Sequence, residues 1–350
     1  MAGHLKIPFD FPQKDFLKKR IIHVLAGDLG GTKTNLALYR ARIDGIEIVA
    51  ETRYHSPDYK SGTDILLKFI QDHQHQRPDR ICLGVAGPVF QGRVELTNLS
   101  WILDSEEIKK ATAIQEVALI NDLEATAYGL AALDEGDFLT IHPGQVEIAG
   151  NMAILAPGTG LGEGGLYWNG VSYHPFATEG GHTDFSPRNK IDLKLLDFLG
   201  KKYEVVSWER VIAGPAIYDI YQFLRDVKKR KEPAWLRDAL HKEDPSALIS
   251  QLAIEEKNEV CIETMQIFVR LIARESSNLV LKLKATGGLF LGGGIPPKIS
   301  SLLQQNNFYH NFLDCDRMEH LLKKVPVRII LNPKTALLGA AWFGAYGRAE

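Results

Sequence analysis

Cysteine is scarce. The 350 residues hold three, Cys82, Cys261 and Cys315. They lie too far apart in the chain for a CxxC metal knuckle or a disulfide framework, and a reducing compartment is the simple reading. Neither sign of charge is in excess. The 41 basic and 43 acidic side chains leave a formal net charge of −2, which argues against a dedicated nucleic-acid surface. Long apolar runs are missing too. None reaches the ~18 residues of a membrane span, so no membrane partner is expected. In the first twenty residues Lys14, Asp15, Lys18, Lys19 and Arg20 break up any signal-peptide apolar region. No G-x-x-x-x-G-K-[ST] loop occurs, and Gly27–Gly31 lacks G-x-G-x-x-G and runs into a strand. These absences set aside a P-loop nucleotidase and a nicotinamide-dependent dehydrogenase.

What is present is a chain long enough for two cores, with 45% hydrophobic and 24% charged residues. Apolar runs at 21–26, 36–41, 46–53, 81–87 and 117–120 read as strands. Helical spacing begins at Thr63, a plausible N-cap. Asp104 followed by Glu107 is a capping-box pattern. Asn121 and Asp122 follow the strand 117–120, and a helix then runs toward Leu133. In open α/β sheets ligands sit beyond the carboxyl ends of strands, which puts Asn121 and Asp122 where chemistry happens. From residue 152 the layout repeats: apolar strand, glycine–threonine turn, second strand. The two turns are about 130 residues apart, as in a duplicated domain. Residues 259–283 read as one long helix, and 287–294 and 327–330 as strands. Asn332 reads as the cap of a last helix with Pro333 at its first position. Phe9, Phe11 and Phe16 read as an extra segment packed on the surface of the domain.

Three glycine turns follow apolar strands. The first, GDLGGTKTN (27–35), offers glycines that permit positive φ and close backbone approach, N–H groups that can cradle an anion, and the Thr32 hydroxyl. Asp28 sits where it can hold a hydrated Mg²⁺ through water. The second, PGTGLGEGG (157–165), places Thr159 between two glycines. The third is GGLFLGGG (287–294).

GDLGGTKTNLAL (27–38), LINDLEATAYGL (119–130), APGTGLG (156–162), EGGHTDF (179–185) and SWERVIAGP (207–215) together resemble the bacterial glucokinases, of the actin-like, hexokinase-like ATPase superfamily. The resemblance runs through residues 22–345 in one order. It implies an α/β fold of two domains, with duplicated, mixed five-stranded, actin-like or ribonuclease-H-like cores around a central cleft. An N-terminal extension (1–20) would precede a small domain (21–134), to which the C-terminal helix (332–350) returns. A large domain (135–331) would carry a helical excursion near 215–283. The implied partners are D-glucose and Mg-ATP, the implied cofactors ATP and Mg²⁺, the implied assembly a homodimer and the implied compartment the cytoplasm. By resemblance Asp122 is the catalytic base, and Asn98, Asn121, Glu179, His182 and Glu209 join it in binding the hexose. Thr32 with Gly30 and Gly31 resembles the first phosphate loop, Gly158, Thr159 and Gly160 the second, and Gly292, Gly293 and Gly294 the adenosine side. The residues after His182 lack the cysteines of the related ROK sugar kinases, which points away from zinc. Two departures are the longer lead before Gly27 and Thr178, where a glycine often precedes EGGH.

The residue types suit the chemistry. A carboxylate can align an alcohol and take its proton, and amides and carboxylates match the donors and acceptors of sugar hydroxyls. Each residue also has a plainer reading. Asp122 is a common helix N-cap. Glu179 is a solvated loop acid, His182 a structural histidine, and Glu209, after a cap at Ser207, a first-turn acid favoured by the helix dipole. Asp184 reads as ordering its own loop. A kinase for fructose or mannose, and a sugar-binding regulator without turnover, remain as alternatives. Against the regulator, the base and the phosphate loops are intact.

Overall fold

The computed structural model describes residues 7–11, 20–96, 99–145 and 149–347. In chain order the elements are β1 (Ile22–Leu29), β2 (Lys33–Arg42), β3 (Gly45–His55), α1 (Gly62–Asp72), β4 (Arg80–Val85), β5 (Arg93–Glu95), β6 (Ile102–Asp104), α2 (Ser105–Thr112), β7 (Glu116–Asn121) and α3 (Asp122–Gly129). Next come β8 (Phe138–His142), β9 (Met152–Pro157), β10 (Leu161–Trp168), β11 (Tyr173–Thr178), α4 (Lys190–Leu199), α5 (Glu209–Ile212), α6 (Gly214–Asp226), α7 (Ala234–Leu240), α8 (Pro245–Ile254) and α9 (Glu259–Leu283). The chain ends with β12 (Gly288–Leu291), α10 (Ser300–Leu303), α11 (Asn306–Leu313), α12 (Glu319–Leu322), β13 (Val327–Ile330) and α13 (Thr335–Tyr346). Two compact units result: Met1–Asp137 with Leu166–Ala177 and Asn332–Glu350, and Phe138–Gly165 with Thr178–Leu331.

The first unit is built on a five-stranded mixed sheet ordered β3-β2-β1-β4-β7. The hairpins β1–β2 and β2–β3 are antiparallel; β1–β4 and β4–β7 are parallel. Strand β4 is buried along its whole length, as a strand covered on both faces must be. One face packs Leu25, Leu36, Leu83 and Leu119 against Ile65, Phe69 and Ile108 of α1 and α2. The other packs Ala26, Ala37, Cys82 and Ile120 under Leu337, Ala340 and Ala341 of α13. Phe9 and Phe11 lie on Tyr128 at ring distances of 5.2 and 5.8 Å, and Phe11 also meets Trp342 and Tyr346. Phe16 lies outside the described residues.

A six-stranded sheet is ordered β11-β10-β9-β12-β13-β8, and its strands β8, β9, β12 and β13 belong to the second unit. Its first five strands repeat the order of the first sheet, so the expected hairpin repeat is present. The sixth strand corrects the expectation of five: β8 adds an antiparallel edge against β13. The long helix α9, capped by the Asn258 side chain, buries its apolar residues against α6 and the sheet. Among the described residues no helix is long and apolar enough to cross a membrane.

The starts of α1, α3 and α13 differ from the sequence expectation. Ser61, not Thr63, caps α1, because its hydroxyl accepts from Asp64 N. Asn121, not Asp122, caps α3 by accepting from Leu123 N at 2.8 Å. Asn332 does not cap α13. Its side chain closes a local turn onto Lys334 N, and the helix starts at Thr335.

Helices α3 and α13 approach so closely that glycine is obligatory at their crossing. A Cβ on Gly339 would stand 1.7 Å from the Ala125 carbonyl oxygen, and one on Gly129 would stand 2.0 Å from the Thr335 carbonyl oxygen. Gly339→Ala should therefore cost ~1–3 kcal/mol of stability through overpacking and lower kcat as well, since α3 begins at Asp122. Urea unfolding and steady-state rates on one preparation test this; an unchanged midpoint would show that the helices separate without strain.

Candidate active site

The first turn, Gly30–Thr32, joins β1 to β2 and is fastened from below. Gly30 N donates to the Lys33 carbonyl (3.0 Å), Ser56 N to the Thr32 carbonyl (3.1 Å), and Ser56 Oγ to the Gly30 carbonyl (2.9 Å). Buried Thr34 completes the link through Ser56 Oγ at 3.0 Å. Thr32 is left exposed at the tip beside Gly31. Positive φ is not what these glycines supply. Gly27 is glycine for want of room, with a Cβ 2.6 Å from Leu83 Cδ2. Positive φ occurs instead in the third stretch, 287–294, at Gly288 (+143°) and Gly293 (+77°).

Asp28 opens a row of polar side chains across the sheet, in which Asn35 Nδ2 donates to Asp28 Oδ2 (3.3 Å) and Arg53 Nε donates to Asn35 Oδ1 (3.0 Å). Burial raises the Asp28 pKa, while Asn35 and the more distant Arg53 charge pull the other way. On β4 the residue paired with Asp28 is Gly84. A Cβ there would lie 3.0 Å from Ala125 Cβ and 4.0 Å from Asp122 Cα. Gly84 thus lets the start of α3 settle close to the strand that carries Asp28.

Asp122 is the first residue of α3 and half-buried. Its Oδ1 accepts from Leu123 N (2.9 Å) and its carbonyl accepts from Thr126 Oγ1 (2.8 Å). Asn121 is largely committed to architecture: besides capping α3, its Nδ2 donates to the Gly87 carbonyl (3.1 Å). A second amide proton remains for a ligand. Asn98 lies outside the described residues.

In the second unit the expected loops converge. The Gly158–Gly160 turn closes on itself through Gly158 N to the Gly160 carbonyl (2.8 Å), and its Gly158 carbonyl accepts from Gly214 N (2.8 Å) at the start of α6. The Gly292–Gly294 loop lies beside it. Gly292 N donates to the Leu155 carbonyl (2.9 Å), and a Cβ on Gly293 would stand 2.5 Å from the Pro157 oxygen. Thr159, Gly293 and Gly294 face solvent.

Glu179 and His182 flank one tight turn, Gly180–His182. Both are exposed, with Nε2 and Oε2 3.9 Å apart. Asp184 pairs its backbone with Ser207, and Trp208 N donates to the Thr183 carbonyl (2.9 Å). That pairing brings Glu209 next to the turn. Ser207 is not the cap expected for α5: the position before Glu209 is Trp208, with no side-chain cap. Glu209 Oε2 instead accepts from Leu161 N at 3.1 Å, behind the Gly158–Gly160 turn. Sequence reasoning missed that link, and it missed Ser56 under the first turn and Glu163 on β10. Each is a contact between residues far apart in the chain.

Among the described residues no three of His, Cys, Asp and Glu cluster to hold a metal by themselves.

Known proteins resemble this chain along most of its length. The glucokinase family profile matches residues 25–346. The glucokinase of Nostoc punctiforme is 39% identical over 332 residues, covering 91% of this chain and 97% of that protein. The crystal structure of a glucokinase from an Antarctic psychrotroph superposes with a TM-score of 0.78 at 32% identity, covering 92% of this chain and 98% of that one. The glucokinase of Balamuthia mandrillaris, solved in complex with glucose, shares the fold at a TM-score of 0.76 and 20% identity, covering 95% and 98%. With the matched span running through all three glycine turns and the two protein chains aligned over nearly their whole lengths, this chain belongs to the glucokinase family.

Proposed function

We propose that this chain transfers the γ-phosphoryl group of Mg-ATP to the 6-hydroxyl of D-glucose, giving ADP and D-glucose 6-phosphate. The observation that carries this reading is the matched pair of glycine–threonine hairpin turns, at the same place in two sheets of like strand order, with Asp122 at the carboxyl end of β7. Family membership supports the same donor and acceptor. The strand order also supports assigning both sheets to duplicated actin-like, ribonuclease-H-like cores, in a small domain (21–134 with 332–350) and a large one (135–331).

In this reading the backbone N–H groups at Gly30–Thr32 and Gly158–Gly160, with the two threonine hydroxyls, take phosphate oxygens, and Gly292–Gly294 lines the adenosine side. Asp28 suits a hydrated Mg²⁺. It is an oxygen donor whose charge burial disfavours, so a hard cation nearby relieves it. When bound, that ion neutralises charge on the phosphates. Asp122 orients the 6-hydroxyl and takes its proton. Asn98, Asn121, Glu179, His182 and Glu209 match the remaining hydroxyls, and Glu209 also holds the second turn through Leu161 N. A homodimer belongs to the same proposal and is tested by light scattering.

A coupled ADP-release assay over a hexose panel, with NMR of the product, tests the reaction. Phosphate on C1, or fructose turned over as fast as glucose, would overturn it. Glu179→Gln should weaken glucose affinity by ~1–3 kcal/mol, the range for a charge-assisted hydrogen bond, and leave nucleotide affinity unchanged. His182→Ala should act in the same direction. Both side chains are exposed, so little stability is at stake. A lowered melting temperature with intact glucose affinity would remove both from the site.

A further inference from the structure

Glu163 is a buried acid that the reaction above does not use. It lies on β10 with 1% of its surface exposed, and its Oε1 has no hydrogen-bond partner among the described residues. The charged groups that act on it come from α9. Glu275, fully buried, accepts from Asn278 Nδ2 (2.7 Å) and pairs with Lys282 (3.1 Å), and Arg188 acts on Glu275 in turn. Burial, then the Glu275 charge, pushes the Glu163 pKa up to about 8, with Lys282 opposing. A carboxyl so placed is a neutral acid at neutral pH.

The other side of that carboxyl meets the Glu179–His182 turn. A Cβ on Gly180 would stand 2.1 Å from Glu163 Oε2, and one on Gly181 would stand 2.2 Å from the Leu161 carbonyl oxygen. Neither glycine has positive φ, so both are glycine for room. Thr178 ties the corner, its Oγ1 donating to the Glu163 carbonyl (3.0 Å) and accepting from Gly180 N (3.1 Å). At the other end of this three-residue run Glu209 holds Leu161 N. Residues 161–163 are one shelf, continuous with the second phosphate-type turn and lying under the sugar-side turn.

We propose that Glu163 is a positioning residue for the sugar: its carboxyl, seated against Gly180, sets the backbone from which Glu179 and His182 reach the ligand. This rests on the reading of those two residues as glucose ligands. Ionisation of Glu163 sets a charge between Glu275 and the Glu179 turn and draws water under Gly180, which lifts the turn. Glu179 and His182 on the turn, and Glu275 on α9, whose own pKa burial raises, are the other ionisable groups there, and the neutral isostere separates Glu163 from them.

Calorimetric glucose and nucleotide affinities are measured on the full-length wild type, Glu163→Gln, Glu163→Ala, Gly180→Ala and Glu179→Gln. With only the protonated fraction competent, wild-type glucose affinity should fall about tenfold between about pH 6 and pH 9. Glu163→Gln, the neutral isostere, should keep the low-pH affinity across that range. Glu163→Ala and Gly180→Ala should bind glucose several-fold more weakly at every pH, with nucleotide affinity unmoved. Melting temperatures give a second readout. Unfolded Glu163 ionises near 4.5 and the folded residue near 8, so the folded chain holds the extra proton between those values and loses stability as pH rises through them. Glu163→Gln should gain on wild type across that window. A wild-type pH profile in Glu163→Gln would show that another group sets the pH dependence and overturn the proposal; so would unchanged glucose affinity in Gly180→Ala. The isostere and Gly180→Ala keep the test decisive where Glu163→Ala fails to fold. If Glu179→Gln weakens glucose binding and Glu163→Ala and Gly180→Ala do not, the positioning role alone fails. If Glu179→Gln also binds normally, the glucose site itself is misread, and this proposal falls with it.

Discussion

Asp122→Asn should lower kcat by at least ~10²-fold, the lower range for loss of a general base, and leave glucose affinity nearly intact. An amide can still hydrogen-bond the 6-hydroxyl but cannot take its proton. The local fold should tolerate the change for a reason specific to this helix. The cap of α3 is Asn121, and Leu123 N bonds both Asn121 Oδ1 (2.8 Å) and Asp122 Oδ1 (2.9 Å). The variant's amide oxygen preserves the second bond. What is lost is a negative charge in the first helical turn, ~0.3–1 kcal/mol of dipole interaction. Steady-state rates, glucose calorimetry and melting on one sample test the claim. A near-wild-type kcat would leave Asp122 as only the first residue of a helix.

The parts of this molecule that the sequence makes legible are those fixed by neighbours in the chain. The glycine turns follow apolar strands, and few other structures need an Asp or Thr there. The long helix 259–283 declares itself by spacing and by Asn258, whose side chain accepts from Val260 N and Cys261 N. Helix starts are less legible where two capping residues compete. Ser61 and Thr63 stand two apart, and the extended backbone at Ser61 decides the matter. Asn332–Pro333 looks like a cap with its N1 proline, but the Thr335 hydroxyl returns to the Asn332 carbonyl (2.7 Å) and delays the helix. Strand β8 escapes detection because none of its five residues is fully buried. The site is split the same way. Positions at strand ends can be read, whereas the Glu209–Leu161 contact spans 48 residues of chain and leaves no local trace.

Asp192→Ala should destabilise the second unit by ~3–5 kcal/mol, the cost of breaking a buried ion pair from one side. Asp192 is fully buried in the first turn of α4, yet its carboxylate serves three partners. Arg270 Nη2 donates to Oδ1 at 2.6 Å, Arg274 Nη1 donates to Oδ2, and Arg188 N donates to Oδ2 at 3.1 Å. Arg270 and Arg274 are one turn apart on α9, so their charges face the same point. Burial lowers the Arg270 pKa, Asp192 offsets part of that, and the Arg274 charge lowers it further. Removing the carboxylate leaves two largely buried guanidinium groups, 15% and 7% exposed, repelling each other without the Asp192 counter-charge. The loss should be largest at low salt, where that repulsion is least screened. It should reach function through α9, which also carries Glu275 and Lys282 beside Glu163. A triple variant separates charge from packing. Asp192→Leu with Arg270→Met and Arg274→Met removes all three charges while keeping apolar volume, and should recover most of the stability. Urea unfolding of the single and triple variants at two salt concentrations decides it. A single variant as stable as wild type would show that Arg270 and Arg274 find other acceptors. A triple variant no better than the single one would assign the cost to the geometry of the α4–α9 contact rather than to stranded charge.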